Sequence, residues 1–206
     1  SNVTIKNLRL FGGAGNDGVV RLTKGHGDAR NITIDGCEIA FGYYAGIYAG
    51  GGNTANITVR NTKLHRLMTG TYTVALHAPD QPPFLHDGWT FDGVEVYGGE
   101  EVDSIYIGVD RQAIGGQNLR NLLVQNCHIH DWPGDGVLDY CTQSGQMDNV
   151  TVRNNRFHNL NDARNLNYHY GVAKHGSTTD QFEEKAKNWR IYNNLFTELG
   201  GDKSIG

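Results

Sequence analysis

Apolar and polar residues alternate along this chain in one nine-residue phrase that returns seven times. The copies are NVTIKNLRL from Asn2, NITIDGCEI from Asn31, NITVRNTKL from Asn56 and GWTFDGVEV from Gly88, then NLLVQNCHI from Asn121, NVTVRNNRF from Asn149 and NWRIYNNLF from Asn188. Positions two, four and nine are apolar almost throughout, as in Val3, Ile5 and Leu10 or Ile57, Val59 and Leu64. Position three is polar in six of the seven copies, the in-and-out alternation of a strand with one buried face. Position six is always Asn or Gly, residues that tolerate left-handed backbone angles. A sharp turn is therefore predicted there, with a second short strand after it and Asn side chains free to hydrogen-bond along the column. A third strand is expected about sixteen residues after the first, anchored at Val19, Ile47, Val74, Ile105, Val137, Val172 and Ile205.

The copies begin 29, 25, 32, 33, 28 and 39 residues apart. A constant phrase at a drifting interval makes each copy one coil, with loops of variable length between strands. A single coil cannot bury its own apolar face, so stability must come from stacking at roughly 4.8 Å per coil. The prediction is an all-β fold, a parallel β-helix solenoid of about seven coils. No amphipathic helix covers either end, so the ends are expected to be open. Residues 1–206 read as one domain, either an excerpt of a longer chain or a unit that stacks end to end.

The N-[IV]-T-[IV]-x-N-x-x-[ILF] phrase followed by a G-[IV] strand resembles the right-handed parallel β-helix (pectate-lyase-like) superfamily, over the whole chain. That superfamily includes pectate lyases, polygalacturonases, alginate lyases and epimerases, phage tailspikes and many surface proteins. The resemblance implies a secreted or cell-surface protein that meets polysaccharide, and it does not choose a reaction. Polygalacturonases are a looser match. Asn16-Asp17-Gly18 and Asp135-Gly136 echo one of their elements, but Asp103 follows Val102 rather than a second Asp.

Composition narrows the picture further. A net charge of -4 lacks the basic footprint of a nucleic-acid binder. No run of 18 apolar residues exists to span a membrane. The 28 glycines suit a chain that turns often. Cys37, Cys127 and Cys141 match no C-x-x-C spacing and are expected to be small core residues. Asn2, Asn31, Asn56 and Asn149 sit in formal glycosylation sequons, but all belong to the repeat phrase, where turn chemistry accounts for them.

Function on a solenoid sits where coils deviate, so loop length guides the search for a site. On the third-strand spacing, coil six is lengthened by Asn161–Tyr168. Extra loops follow the third strand at Pro79–Asp87, Asp110–Asn118 and Gly176–Lys187. These loops would wall a groove over the third-strand sheet, a shape suited to a polymer. Asp103 and Asp135 are expected to stack on adjacent coils, where mutual repulsion would raise one pKa and create an acid/base pair. Asp139 and Lys174 share the next equivalent column, and Tyr140, His175 and His77 another.

As a catalytic set, Asp103, Asp135, Asp139, Lys174 and His175 could serve a lyase or a hydrolase. Lys174 or His175 would abstract the proton beside a uronate carboxylate, Arg111 or another cation would neutralise that carboxylate, and Tyr140 would protonate the leaving oxygen. His77, Tyr106, Arg111, Tyr140, His169 and Tyr170 are the expected sugar contacts. The competing reading makes the aspartates turn residues and the Asp139–Lys174 pair structural. No cofactor and no metal site is expected, with Ca2+ left open because Asp103, Asp135 and Asp139 are hard oxygen ligands. His65, His130 and His158, with Tyr97 between and His128 near, follow position nine and read as a structural stack. Two functions stand: an extracellular carbohydrate-active lyase or hydrolase, or a non-catalytic glycan-binding, adhesin, spike or stacking fibre protein with end-to-end self-association.

Overall fold

The computed structural model describes residues 2–12, 18–23, 27–42, 45–49, 51–66, 71–73, 84–98, 112–116, 119–132, 135–141, 147–160, 171–176 and 186–199. The first coil contains β1 (Val3–Lys6), β2 (Arg9–Phe11) and β3 (Gly18–Arg21), and the second β4 (Ala29–Asp35), β5 (Glu38–Ala40) and β6 (Ala45–Tyr48). The third contains β7 (Thr54–Arg60), β8 (Lys63–His65) and β9 (Thr71–Thr73), and the fourth β10 (His86–Asp92), β11 (Glu95–Tyr97) and β12 (Gln112–Gly116). The fifth contains β13 (Leu119–Gln125), β14 (His128–Trp132) and β15 (Asp135–Cys141), and the sixth β16 (Met147–Arg153), β17 (Arg156–Leu160) and β18 (Val172–Gly176). The last described strands are β19 (Ala186–Lys187), β20 (Arg190–Tyr192) and β21 (Leu195–Leu199). Among the described residues no helix is long and apolar enough to cross a membrane.

Every described strand pairs in parallel with its equivalent one coil away, which makes the fold a parallel β-solenoid. The first face runs β1-β4-β7-β10-β13-β16, with β19 and β20 both on β16, and the second runs β2-β5-β8-β11-β14-β17-β21. Seven is an overcount of complete coils. On the third face the described strands divide into β3-β6 and β9-β12-β15-β18, with none from a seventh coil.

The phrase predicts the register of the first two faces residue by residue. Ile32 lies level with Ile57, and Ile57 with Trp89. Leu10, Ile39, Leu64, Val96, Ile129, Phe157 and Phe196 form one unbroken column. Ile34, Val59, Phe91, Val124 and Val152 are fully buried beside it. Because equivalent residues stack, aromatic rings stack too: Phe157 and Phe196 lie 4.9 Å apart and 6° from parallel. Cys37 and Cys127 are free thiols within this core, as small buried residues.

Position six turns with positive φ in every coil, from 50° at Asn61 to 64° at Gly93. Its Asn side chains do not bond to one another, however. Asn61 and Asn126 donate instead to Asp35 and Asp92, one coil back at position five (3.1 and 2.8 Å). The interior amide ladder belongs to position seven. Buried Asn155 donates to Val124 O (3.0 Å) and Asn194 Oδ1 (3.0 Å), and its Oδ1 accepts from Cys127 N (2.8 Å).

Opposite charges alternate up the outside of the first four coils. Position five runs Lys6, Asp35, Arg60, Asp92, with Asp35 3.6 Å from Lys6 and 3.0 Å from Arg60. Position eight runs Arg9, Glu38, Lys63, Glu95, closed by Arg9–Glu38 at 3.0 Å and Lys63–Glu95 at 2.9 Å. The Asn61 hydrogen bond and then the Arg60 pair hold the Asp35 carboxyl below the usual range.

The third face departs from expectation. Ile114 of β12, not Ile105, lies level with Val137. Thr71 rather than Val74 lies level with Ile114, and Val20 rather than Val19 with Ile47. The Asp110–Asn118 segment, expected as a loop, therefore contains a strand. Coil four carries its extra residues before the third strand, between 98 and 112, and a fixed sixteen-residue spacing could not anticipate that.

Candidate functional site

The fifth and sixth coils bring together the predicted residues of the third face. Val137 and Val172 are buried and set the register. From that anchor, Asp139 of β15 lies level with Lys174 of β18, and Tyr140 with His175. The expected sharing of two columns between these coils therefore holds at the backbone. The Val137 N–H also donates to Gly171 O (2.9 Å), tying the start of one strand to the entry of the next.

Other placements change. Asp135 lies level with Gln112 of β12, so the predicted Asp103–Asp135 stack is withdrawn along with the Ile105 anchor it depended on. Thr73, not a residue near His77, is level with Gly116, which in turn is level with Asp139. Thr71 also replaces Val74, the anchor from which His77 was expected to share the column of Tyr140 and His175. Asp103, Tyr106, Arg111, His77, His169 and Tyr170 themselves lie outside the described residues. So do most of the loop residues expected to wall the groove.

The outer side of the second face carries a polar ladder whose side chains are fully described. Alternation places positions eight and ten on the same surface, since position nine points into the core. His65 stacks on Tyr97 (4.9 Å, 9°), Tyr97 on His130 (5.2 Å, 7°), and His130 on His128 of the same strand (4.0 Å). Carboxylates bracket the rings. His65 Nε2 is 3.0 Å from Glu38, His130 Nε2 3.3 Å from Glu95, and His130 Nδ1 2.7 Å from Asp131. His158 Nδ1 bonds to Thr197 (3.0 Å) and its Nε2 is 3.7 Å from Glu198.

Charges in this ladder are tuned by their neighbours. Burial pushes His128 below the usual histidine range, helped by the nearby His130 and Arg156 charges, and so keeps its ring neutral. Burial alone would raise Glu95, but hydrogen bonds from Lys63 and His130 outweigh it and hold the carboxyl low. The Asn159 amide, then His130, holds Asp131 low as well. Glu95, His128 and His130 each offer one ligand atom within 4.8 Å of the others, and all three are half-buried.

Sequence reasoning found the histidines and Tyr97 but passed over Glu38 and Glu95. Their signal was available: both occupy position eight, two residues from the His/Tyr column, hence on its surface. The family model for the right-handed β-helix region matches residues 1–202. No curated protein and no solved structure matches the chain.

Proposed function

Because the chain belongs to the right-handed β-helix family, we propose that it is an extracellular carbohydrate-active protein acting on an acidic polysaccharide along its third face. The observation that carries this reading is the register that sets Asp139 beside Lys174 and Tyr140 beside His175 on consecutive coils. Adjacent parallel strands lie about 4.8 Å apart, so these two rungs bring a carboxylate-, an amine-, a phenol- and an imidazole-bearing residue into one small patch of backbone. Such a set has the proton donors and acceptors that cleavage beside a uronate needs.

In the lyase form, Lys174 or His175 takes the proton from the carbon next to the uronate carboxylate. The electron pair forms the new carbon–carbon double bond as the glycosidic oxygen leaves with a proton from Tyr140. In the hydrolase form, Asp139 protonates the leaving oxygen or activates the water that adds to the sugar as the glycosidic bond breaks. The parallel stack favours an extended substrate because equivalent positions repeat coil after coil along one axis.

The test is a panel of acidic polysaccharides, read by the ultraviolet absorbance of an unsaturated product and by release of reducing ends. Absorbance that falls by about 100-fold or more in Lys174→Ala establishes the lyase, in line with loss of a general base. Reducing ends without absorbance, lost in Asp139→Asn, favour hydrolysis. Silence in both, on folded protein, overturns the enzymatic reading in favour of a glycan-binding or fibre-forming role.

A further inference from the structure

The second face holds a group that the glycan reading does not use. We infer that Glu95, His128 and His130 form a three-ligand site for a divalent cation of the zinc class, on the outside of the second sheet.

Geometry comes first. His128 and His130 are two residues apart on β14 and so share a surface, while Glu95 on β11 lies level with His128. A tetrahedral ion with bonds of about 2.0–2.2 Å needs donors about 3.4 Å apart. Glu95 Oε1 and His130 Nε2 already stand 3.3 Å apart, and the third donor lies within 4.8 Å of both. His128 Nε2 is shut off from solvent and has no hydrogen-bond partner among the described residues. A buried polar atom without a partner is costly, and an ion bound to this ring or a water beside it would relieve that cost.

The supports around the ligands point the same way. His130 Nδ1 bonds to Asp131 (2.7 Å), and Asp131 is held in turn by the Asn159 amide (2.7 Å). With an ion bound, Nε2 gives up the proton it donates to Glu95, and the Asp131 relay keeps the other proton on Nδ1, so that the Nε2 lone pair faces the ion. Tyr97 stacks on the other side of His130 and sets its ring plane. Two charges oppose a cation: Lys63, which occupies the other oxygen of Glu95 (2.9 Å), and Arg156, level with His128 on the next coil. They lower the affinity without occupying the donor atoms. Two imidazoles and one carboxylate select zinc, copper, nickel or cobalt over calcium and magnesium, which take oxygen. Three protein ligands leave a fourth position for water or a bound anion.

Equilibrium dialysis of the full chain against Zn2+ and against Ca2+, with metal analysis, tests the site. One Zn2+ per chain and no Ca2+ at these residues is the expected result. His128→Ala and Glu95→Gln should each weaken Zn2+ binding at least tenfold, and Asp131→Asn, a positioning change, by about 10- to 100-fold. No stoichiometric Zn2+ binding by the wild type, or binding unchanged in a His128→Ala/His130→Ala double variant, overturns the site. Should a variant fail to fold, imidazole nitrogen shifts in the wild type decide. Zn2+ must move those of His128 and His130, and shifts elsewhere instead of there overturn the proposal. None of these outcomes depends on glycan activity.

Discussion

His86 is the residue whose chemistry is least at ease with its surroundings. It sits fully buried on β10 beside Thr54, whose hydroxyl oxygen is shared by His86 Nδ1 (2.8 Å) and by the donating Trp89 Nε1 (2.7 Å). Its Nε2 has no partner among the described residues. Burial pushes its pKa down to about 4, so the native ring stays neutral where an unfolded one takes a proton. The native state therefore binds fewer protons between about pH 6.5 and 4, and stability is lost as pH falls through that window. A shift of this size corresponds to about 3 kcal/mol, with no further change from this group above or below the window. Urea unfolding at a series of pH values checks this, and His86→Gln should flatten the profile. Cys127 shifts the opposite way: burial raises its thiol to about 12, which makes it inert.

At the scale of the strand and its turn, the phrase made most of the fold legible. Apolar residues at positions two, four and nine, with Asn or Gly at six, specify two strands and the corner between them without help from distant residues. Register on those two faces was accordingly readable from Asn2 to Phe196. The third strand has no such local punctuation. The segment Ser104–Gly108 (SIYIG) and the observed strand Gln112–Gly116 (QAIGG) fit a short buried strand about equally well, and only the stacking of Ile114 on Val137 decides between them. The candidate site divides the same way. Asp139 with Lys174 and Tyr140 with His175 pair at the backbone as expected because coil five keeps the assumed spacing and Val172, the anchor of the longer coil six, is marked by Gly171 before it. The Asp103–Asp135 stack fails because coil four carries its extra residues before the third strand, which puts Gln112 level with Asp135. The interior amide ladder was also misplaced by one position, since Asn155 follows a turn residue that is itself Asn. Removing it tests its weight: Asn155→Ala leaves the buried Cys127 N–H without its acceptor, at about 1–3 kcal/mol. The urea midpoint should drop accordingly, and less for Asn194→Ala on the last described coil.

Across the whole molecule, each coil touches only the coils above and below, so stability is close to a sum of neighbour terms. The alternating columns on the outside make those terms depend on which coils are neighbours. Duplicating coil three alone, residues 56–87, would set Arg60 against Arg60 and Lys63 against Lys63. Duplicating coils two and three together, residues 31–87, would set Arg60 against Asp35 and Lys63 against Glu38. Each like-charge contact costs on the order of 0.2–1 kcal/mol where its opposite would have gained as much, and salt screens both. Added salt should therefore raise the thermal midpoint of the single duplication and leave that of the double one level or lower. Over its first four coils the solenoid has a parity. It can lengthen or shorten smoothly only by even steps, so a change in coil number there that arose by duplication is favoured to arise in pairs.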